Sequence, residues 1–328
     1  MQTPRTRVQR RPVHGVLLLD KPINLSSNNA LQRVKWLLRA EKAGHTGTLD
    51  PLATGVLPLC FGAATKFSQL HLDADKTYET TIRLGIRTST ADAEGEIIEK
   101  RPVRADQRDV SLVLKKFTGR ILQIPPMHSA LKKDGKSLYE YARAGQSVER
   151  TAREVNIHEM EMLDLELGSD AASLTLRVRC SKGTYIRTLG EDIGEALGCG
   201  GHLTMLRRVC SGPFHLKQSI SLTELETMDE PKRLAQLLPL DCLLQDHPKI
   251  ILNEEEGGRF LSGMRRRGPW ADADRVSVYA QPETLLGTGH VKATELIPGR
   301  LLNPVEIKQI LCPGGDPVRA SSVITDSK

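Results

Sequence analysis

The chain has 328 residues, of which 39% are hydrophobic and 26% are charged, and its formal net charge is +6. This composition is typical of a folded, water-soluble protein and excludes an intrinsically disordered chain. Because no apolar run reaches the roughly 18 residues that a membrane span needs, an integral membrane protein is excluded as well. The length favours one large domain together with a small one.

Motifs for cofactors and metals are missing from the sequence. Its 6 cysteines lie at least 11 residues apart and form no Cys-x-x-Cys pair. Neither the P-loop motif nor the Gly-x-Gly-x-x-Gly motif for nucleotides occurs. We therefore expect free, mostly buried thiols in a reducing cytosol, and an activity that needs neither a metal nor a cofactor.

In chain order, the first segment is basic and carries four arginines before the first acidic residue, Asp20. It lacks the apolar core of a secretory signal, so we predict a disordered basic arm over residues 1–12. A buried strand is predicted over residues 13–19, where an apolar run ends at a proline turn. An amphipathic helix follows, because capping side chains from Ser26 onward precede leucine and valine residues at helical spacing.

The most unusual segment is the loop over residues 44–55, which holds three glycines and the pair Asp50-Pro51. Pro51 disfavours the helical region for the preceding residue and so fixes where the Asp50 carboxylate points. The same pair is also typical of a helix N-cap followed by proline. Two compatible interpretations stay open, a structural cap and a catalytic carboxylate. On local grounds His45 is a hydrogen-bonded surface histidine.

Alternating patterns predict two half-buried strands, one over residues 78–85 with Tyr78 on its apolar face and one over residues 174–179. The Asp-Gly pair between basic flanks in residues 131–136 predicts a hairpin. A helix is predicted to begin after the turn at residues 181–183. Arg187 at its start could pair with a carboxylate or a phosphate, but a solvated arginine is the alternative.

Beyond residue 246 the character of the chain changes. A helix is predicted over residues 253–261, and short strands follow that are separated by glycine and proline. The predicted strands cover residues 275–279, 285–287 and 300–302. Strands and helices alternate without a regular rhythm, so an α+β fold is favoured over a doubly wound parallel sheet.

Basic residues recur beside predicted turns, in the groups Lys132-Lys133, Lys182, Arg207-Arg208 and 265–267. Singly, such residues are usually solvated; as a set they indicate a phosphate-rich partner. Aromatic residues make up only 4% of the chain. This excludes a platform that stacks several bases, but a single tyrosine could still stack on one extruded base.

Several motifs together closely resemble the TruB family of tRNA pseudouridine synthases over residues 13–245. They are GVLLLDKP (15–22), the glycine-rich loop (44–55), KTY (76–78), IPPMHSALK (124–132), CSKGTYIRTL (180–189), LRR (206–208) and SGPF (211–214). A weaker resemblance to the PUA-like domain of these enzymes rests on residues 286–289 and 299–302. His128 is a mild departure, since many relatives carry Tyr or Phe there.

The resemblance implies an α+β catalytic domain over residues 13–246 with a mixed, largely antiparallel sheet. It further implies a β-rich, PUA-like RNA-binding domain over 247–312, and we expect a disordered tail over 313–328. The implied activity is cofactor-free isomerisation of uridine-55 in the T loop of tRNA, after the base is flipped out. The expected enzyme is a cytoplasmic monomer that binds the T stem-loop without an obligate protein partner.

The resemblance also implies a function for individual residues. Asp50 would be the catalytic aspartate, Arg187 would pair with it and orient it, and Tyr78 would stack on the flipped base. The residues implied to bind substrate are His45, which would fill the space that the base leaves, Lys66, Lys132, Tyr185 beside Arg187, and Leu206 in the base pocket. Two alternatives remain, a guide-RNA-dependent enzyme of the dyskerin type and a non-catalytic tRNA-binding module.

Overall fold

The computed structural model describes residues 9–129, 131–168, 171–281 and 283–312. The predictions for most of the basic arm and for the tail after residue 312 fall outside the described residues. The strands are β1 (Gly15–Lys21), β2 (Ala43–His45), β3 (Thr54–Phe61), β4 (Lys76–Leu84), β5 (Ile86–Thr88), β6 (Ile97–Lys100), β7 (Gly119–Gln123), β8 (Lys132–Lys133), β9 (Lys136–Ser137), β10 (Arg153–Glu166), β11 (Ser173–Cys180), β12 (Gly201–Ser211), β13 (Phe214–His215), β14 (Ile220–Ser221), β15 (Lys249–Leu252), β16 (Arg266–Arg267), β17 (Ala273–Ala280), β18 (Thr284–Lys292) and β19 (Glu295–Leu301).

The α-helices of the described residues are mostly short. They are α1 (Ser27–Leu37), α2 (Ser68–Leu72), α3 (Gln107–Lys116), α4 (Leu138–Arg143), α5 (Ile186–Ala196), α6 (Leu222–Thr227), α7 (Glu230–Ala235), α8 (Glu254–Leu261) and α9 (Pro304–Leu311). In the same part of the chain, short 3₁₀-helices lie at Gly62–Lys66, Leu216–Gln218 and Leu240–Leu244. Among these helices, none is long and apolar enough to cross a membrane.

A mixed sheet of ten strands organises the first three quarters of the chain. Its main path runs β14-β1-β3-β12-β4-β11-β10-β7, with β2 paired to β3 and β13 paired to β12. Along this path the neighbours are antiparallel except for β1 with β14 and β3 with β12, which are parallel. The predicted α+β class with a mixed, largely antiparallel sheet is therefore confirmed.

At β1 and β3 both faces of this sheet are covered. Alternation in β1 sends Leu17 and Leu19 into a large core with helices α1, α3 and α5, while Val16 and Leu18 enter a second apolar cluster on the opposite face. The helix start at Ser26 and the hairpin at residues 131–136, both predicted from the sequence, are confirmed. Ser26 caps α1 by accepting from the Asn29 N–H, and Asp134 and Gly135 both take positive φ in the turn between β8 and β9.

A second sheet, in the order β15-β17-β18-β19-β16, builds the C-terminal module, defined here as the elements from β15 to α9. The predicted helix over residues 253–261 is α8, and Asn253 is its N-cap. The third predicted strand, at residues 300–302, was placed too far along the chain, because β19 already begins at Glu295. It follows a tight turn through Ala293 and Thr294, both with positive φ, and this pair carries no glycine or asparagine signal.

The C-terminal module packs against the second face of the main sheet. Leu302 and partly buried residues of α9 join the apolar cluster around Val16 and Phe67. His14 Nε2 lies 3.0 Å from Gln309 Oε1, and the Lys66 ammonium lies 2.6 Å from Glu306 Oε2. These contacts tie the two parts of the chain together. The exact limits of the two domains at residues 246 and 247 stay a prediction.

Candidate active site

The loop that carries Asp50 is anchored to α1. The Ser27 hydroxyl on α1 donates to the Leu49 carbonyl at 3.0 Å and accepts from the Leu49 N–H at 2.7 Å. No helix begins after Asp50: the chain bends at residues 51–52 and enters β3. The interpretation of Asp50 as a helix cap is therefore wrong, because the Ala53 N–H turns back to the Asp50 carbonyl and the following residues are extended. The carboxylate is left available for other contacts.

Arg187, in the first turn of α5, makes one of these contacts. Its Nη2 atom lies 2.9 Å from Asp50 Oδ2, and its side chain is only 5% exposed, whereas that of Asp50 is 37% exposed. The same nitrogen donates to the His128 carbonyl at 2.6 Å, and Nη1 donates to the Thr90 carbonyl at 3.3 Å. A guanidinium with several fixed acceptors cannot rotate freely, so it sets the orientation of the carboxylate that it holds.

A second carboxylate, Asp92, lies on the other side of this guanidinium. Asp92 Oδ2 is 3.4 Å from Arg187 Nη1, and the Asp92 side chain is 3% exposed. Asp92 is itself fixed, since its Oδ1 atom accepts from the Glu94 N–H at 3.1 Å and from the Thr90 hydroxyl. One buried cation thus lies between two carboxylates, of which only Asp50 retains appreciable exposure.

Two opposing effects set the protonation of Asp50. Burial disfavours the charged form and raises the pKa of this carboxyl above its usual value, and the negative charge of Asp92 raises it further. The Arg187 guanidinium opposes both effects through its charge and its hydrogen bond. The ion pair is therefore what favours an ionised carboxylate in a partly desolvated position.

Lys21, at the end of β1, supplies another positive charge near Asp50. Its side chain is fully buried, and its ammonium donates to the carbonyls of Pro22 at 2.9 Å and Leu25 at 2.6 Å, and more distantly to that of Pro51 at 3.5 Å. Burial lowers its pKa to about 8, and the Asp50 charge partly opposes this. Lys21 thus connects β1 and the start of α1 to the residue that follows Asp50.

Tyr78 lies on β4 directly opposite Arg208 of β12. Burial raises the pKa of the Tyr78 phenol, and the positive charge of Arg208 is the largest effect that opposes this rise. Arg208 is 1% exposed, and its Nε atom donates to the Val56 carbonyl at 2.8 Å. The hypothesis that Arg208 belongs to a basic surface is therefore wrong, because the side chain has no access to a phosphate.

Asp50, Arg187, Asp92, Lys21 and Arg208 are called the Asp50 cluster below. Two other residues expected in the pocket are Tyr185 and Leu206. Tyr185 directly precedes α5, and the buried Gln123 amide binds its backbone N–H and carbonyl. Leu206, on β12, is buried in the large core opposite Thr80 of β4.

His45 ends β2 on the loop that carries Asp50. Burial and the Arg208 charge lower its pKa, which favours the neutral imidazole. Its Nδ1 atom is buried and, within the described part of the chain, has no hydrogen-bond partner. His45 is thus a half-buried histidine, and its Nδ1 atom does not make the hydrogen bond expected of a surface histidine.

Two of the expected substrate-binding lysines do not join the cluster. The Lys66 ammonium pairs with Glu306 and donates to the Leu301 carbonyl at 2.9 Å, so it lies at the junction with the C-terminal module. Lys132 is exposed on the hairpin β8–β9. This hairpin follows closely on His128, whose carbonyl binds Arg187.

Comparison with known proteins gives the class first. Residues 35–186 match the model of the N-terminal domain of the TruB family of pseudouridylate synthases, and residues 187–245 match that of the tRNA pseudouridylate synthase B C-terminal domain. A solved H/ACA ribonucleoprotein, bound to a substrate RNA that contains 2'-deoxyuridine, has a similar chain. Its TM-score is 0.66 at 25% identity, over 90% of this chain and 86% of that one. Fold and site thus define a pseudouridine synthase, an RNA-modifying isomerase.

Relatives of high sequence identity show which family of pseudouridine synthases the chain belongs to. The tRNA pseudouridine synthase B of Verminephrobacter eiseniae is 58% identical over 94% of this chain and 94% of its own length. That of Ralstonia pickettii is 57% identical over 92% of this chain and 98% of its own. The chain therefore belongs to the TruB family of tRNA pseudouridine synthases.

Sequence reasoning missed three residues of the cluster. In the sequence Lys21 stands out only as part of the GVLLLDKP motif, and Asp92 lies in a polar turn that has no distinguishing pattern. Arg208 could have been found, because strand alternation places it two residues after Leu206 on the same face. That inference required a strand over residues 201–211, which was not predicted.

Proposed function

We propose that this chain converts uridine-55 in the T loop of tRNA into pseudouridine, with Asp50 as the reacting carboxylate. The observation that carries the proposal is the contact of 2.9 Å between Asp50 and the buried Arg187. The names of the similar proteins support tRNA as the substrate. The position within tRNA rests on the resemblance of the sequence motifs to this family.

The reaction breaks the N1–C1′ bond, turns the uracil and joins C5 to C1′. Nothing is oxidised and no group is donated, so side chains alone can perform it. Hydrolytic glycosidases use two reacting carboxylates, and inverting enzymes among them use one to activate water. Here water must be kept away from the sugar, so a single exposed carboxylate fits, while Asp92 is buried against Arg187. Asp50 could attack C1′, attack C6 or remove a proton from C2′.

Each of these three steps needs an ionised Asp50. Desolvation by the bound base would add to the burial that already raises the pKa of this carboxyl. The Arg187 guanidinium counteracts this effect and keeps one carboxylate oxygen engaged. Asp92 in turn keeps Arg187 from moving with the substrate. We propose that Asp92 is a positioning residue that acts through Arg187.

The target uridine has to leave its stack to reach Asp50, at a cost of a few kcal/mol. We propose that Tyr78 stacks on the flipped base and that its hydroxyl takes part in proton transfer at C5. Leu206 and Tyr185 would complete the base pocket. A neutral imidazole at His45 fits the proposal that this residue fills the space left in the T loop, because it can enter an apolar gap without a charge.

Contacts with phosphates would supply most of the sequence-independent affinity. Lys132 is a candidate for such a contact because it is exposed on the β8–β9 hairpin, whereas the ion pair of Lys66 with Glu306 argues against a direct contact by Lys66. We further propose that residues 13–246 form the catalytic domain and residues 247–312 an RNA-binding domain. The chain would act in the cytoplasm as a monomer, without an obligate protein partner.

The decisive experiment uses the purified chain and an unmodified tRNA transcript. Carbodiimide treatment followed by reverse transcription should produce a stop at uridine-55 with the wild type and none with Asp50→Asn. Asp73→Asn, which removes an exposed carboxylate paired with Lys182, should retain the stop. A stop at another uridine would contradict the assigned position. Activity only after addition of a guide RNA would instead favour the dyskerin-type alternative.

A further inference from the structure

Arg208 is a buried charge that the steps above leave unused. Among the described residues it is one of the largest fully buried side chains, and it lies on β12 two residues after the pocket residue Leu206. Within the described residues no carboxylate lies at ion-pair distance from its guanidinium. Burial of an arginine without a counter-ion costs several kcal/mol, even when carbonyl oxygens partly compensate. An apolar side chain would avoid this cost.

The contacts of Arg208 join three parts of the candidate site. Nε donates to the Val56 carbonyl of β3 at 2.8 Å, and Nη2 donates to the Gly47 carbonyl of the Asp50 loop at 3.3 Å. Across the sheet its register partner is Tyr78. Directly opposite residues of antiparallel strands project on the same face, so guanidinium and phenol are neighbours.

The backbone is adapted to this arrangement. A Cβ atom on Gly55 would lie 2.2 Å from the Arg208 carbonyl oxygen, so only glycine permits the close approach of β3 to β12 at this point. Gly47, whose carbonyl accepts from Arg208, has a φ of +99°. Two of the three glycines in the loop over residues 44–55 therefore contact Arg208 and help to fix its position.

We infer that Arg208 is a positioning residue of the reaction, which holds the Tyr78 phenol in register with the Asp50 loop and stabilises negative charge on the phenol oxygen. The inference rests on the proposed function. In the late step C5 carries both C1′ and a hydrogen, and C6 is doubly bonded to N1. The C5–H bond breaks, its electron pair forms the C5=C6 bond, and the C6=N1 π pair moves to N1, which takes up a proton from solvent. The proton from C5 passes to the phenolate oxygen of Tyr78, which has released its own proton to solvent beforehand. Without Arg208, burial and the charges of Cys180 and Asp50 would oppose ionisation of the phenol with nothing to counteract them.

The test is a double-mutant cycle of Arg208→Met and Tyr78→Phe on a T-arm hairpin, with ordinary uridine or uridine deuterated at C5. Arg208→Met should lower the single-turnover rate at saturating RNA by at least about tenfold and raise the C5 isotope effect. In the Tyr78→Phe background the same change should have little further effect. Additive effects, or an unchanged isotope effect, would overturn the inference.

Because Arg208 is buried, thermal unfolding is measured for each variant. Arg208→Lys keeps the charge and should recover part of the rate lost in Arg208→Met. Arg233→Met is the matched control, since Arg233 on α7 also binds backbone carbonyls, at Leu225 and Glu226. It should leave the isotope effect unchanged. If neither Arg208 variant folds, Arg208 is a structural residue and the inference fails. If the wild type forms no pseudouridine, the proposed function fails instead.

Discussion

Arg187→Lys separates the charge of Arg187 from its shape. The native guanidinium uses two nitrogens for four acceptors: Asp50, Asp92 and the carbonyls of Thr90 and His128. A lysine side chain carries its three N–H donors on a single nitrogen. It therefore cannot bind both carboxylates and both carbonyls, which surround the guanidinium on different sides. At least one or two buried acceptors then lose their partner.

The expected losses follow from this geometry. Each unsatisfied buried acceptor costs about 1–3 kcal/mol, so the loss of one or two partners should lower the free energy of unfolding by about 1–6 kcal/mol. If the released Asp50 carboxylate turns away from the substrate, a hundredfold loss in rate corresponds to about 2.7 kcal/mol of transition-state stabilisation. We expect at least this loss in kcat, with a much smaller change in the affinity for tRNA.

The assay combines single-turnover pseudouridine formation with urea unfolding of the same preparation. Arg177→Lys is the matched control, since Arg177 pairs with Glu79 and Glu161 on an exposed part of the sheet. Exposed pairs contribute about 0–1 kcal/mol, so its rate and stability should hardly change. A normal kcat in folded Arg187→Lys would refute the reasoning that the fork shape orients Asp50.

Three further predictions concern other charged groups. Because burial raises the Asp50 pKa, ionisation of Asp50 destabilises the fold as the pH rises from 3.8 through the raised pKa; in urea unfolding, Asp50→Asn should therefore gain stability relative to the wild type over this range. Lys21→Met should lose about 1–3 kcal/mol of stability in the same assay, because buried carbonyls lose their donor, and should lower kcat through the neighbouring Pro51. In tRNA binding, Lys132→Ala should reduce the slope of log affinity against log salt by about 0.7–0.9, whereas Lys66→Met should leave that slope unchanged and only weaken the junction.

Each of these has an outcome that contradicts it. A stability difference between Asp50→Asn and the wild type that falls with rising pH would mean that Arg187 outweighs burial. Normal stability of Lys21→Met would mean that water replaces the ammonium. An unchanged salt slope for Lys132→Ala, with a reduced slope for Lys66→Met, would reverse the expected assignment of the RNA contact.

Much of the fold could be predicted because local signals are strong. Alternation in β4 and β11, the Ser26 cap of α1 and the Asp134-Gly135 turn each follow from side-chain period or backbone preference. The start of β19 could not be predicted because the preceding turn has positive φ at Ala293 and Thr294. Alanine and threonine rarely adopt this conformation, so they do not indicate a turn. Local pattern also failed at Asp50, since the Asp-Pro pair that favours a helix cap here precedes a strand.

The candidate site was only partly accessible to sequence reasoning. Local patterns had left Arg187 as either a solvated residue or a partner of a carboxylate, and the structure brings it to Asp50. The family motifs pointed to that pair but not to Asp92, which reaches Arg187 from a turn almost a hundred residues earlier in the chain. Lys66 was expected near RNA, but its contact with Glu306 depends on how the C-terminal module docks. Contacts between distant segments of this kind have no local signature.

Many contacts of the site cannot be predicted from the sequence because their acceptors are backbone carbonyls. Arg187, Lys21 and Arg208 all bind carbonyl oxygens, and a carbonyl is present whatever side chain its residue carries. The position of His128 is an example, because its backbone carbonyl accepts from Arg187. A Tyr or Phe there would offer the same acceptor, so the departure of this chain from many relatives at residue 128 leaves the support of Arg187 intact. What must be preserved is the path of the loop, which several different side chains can maintain.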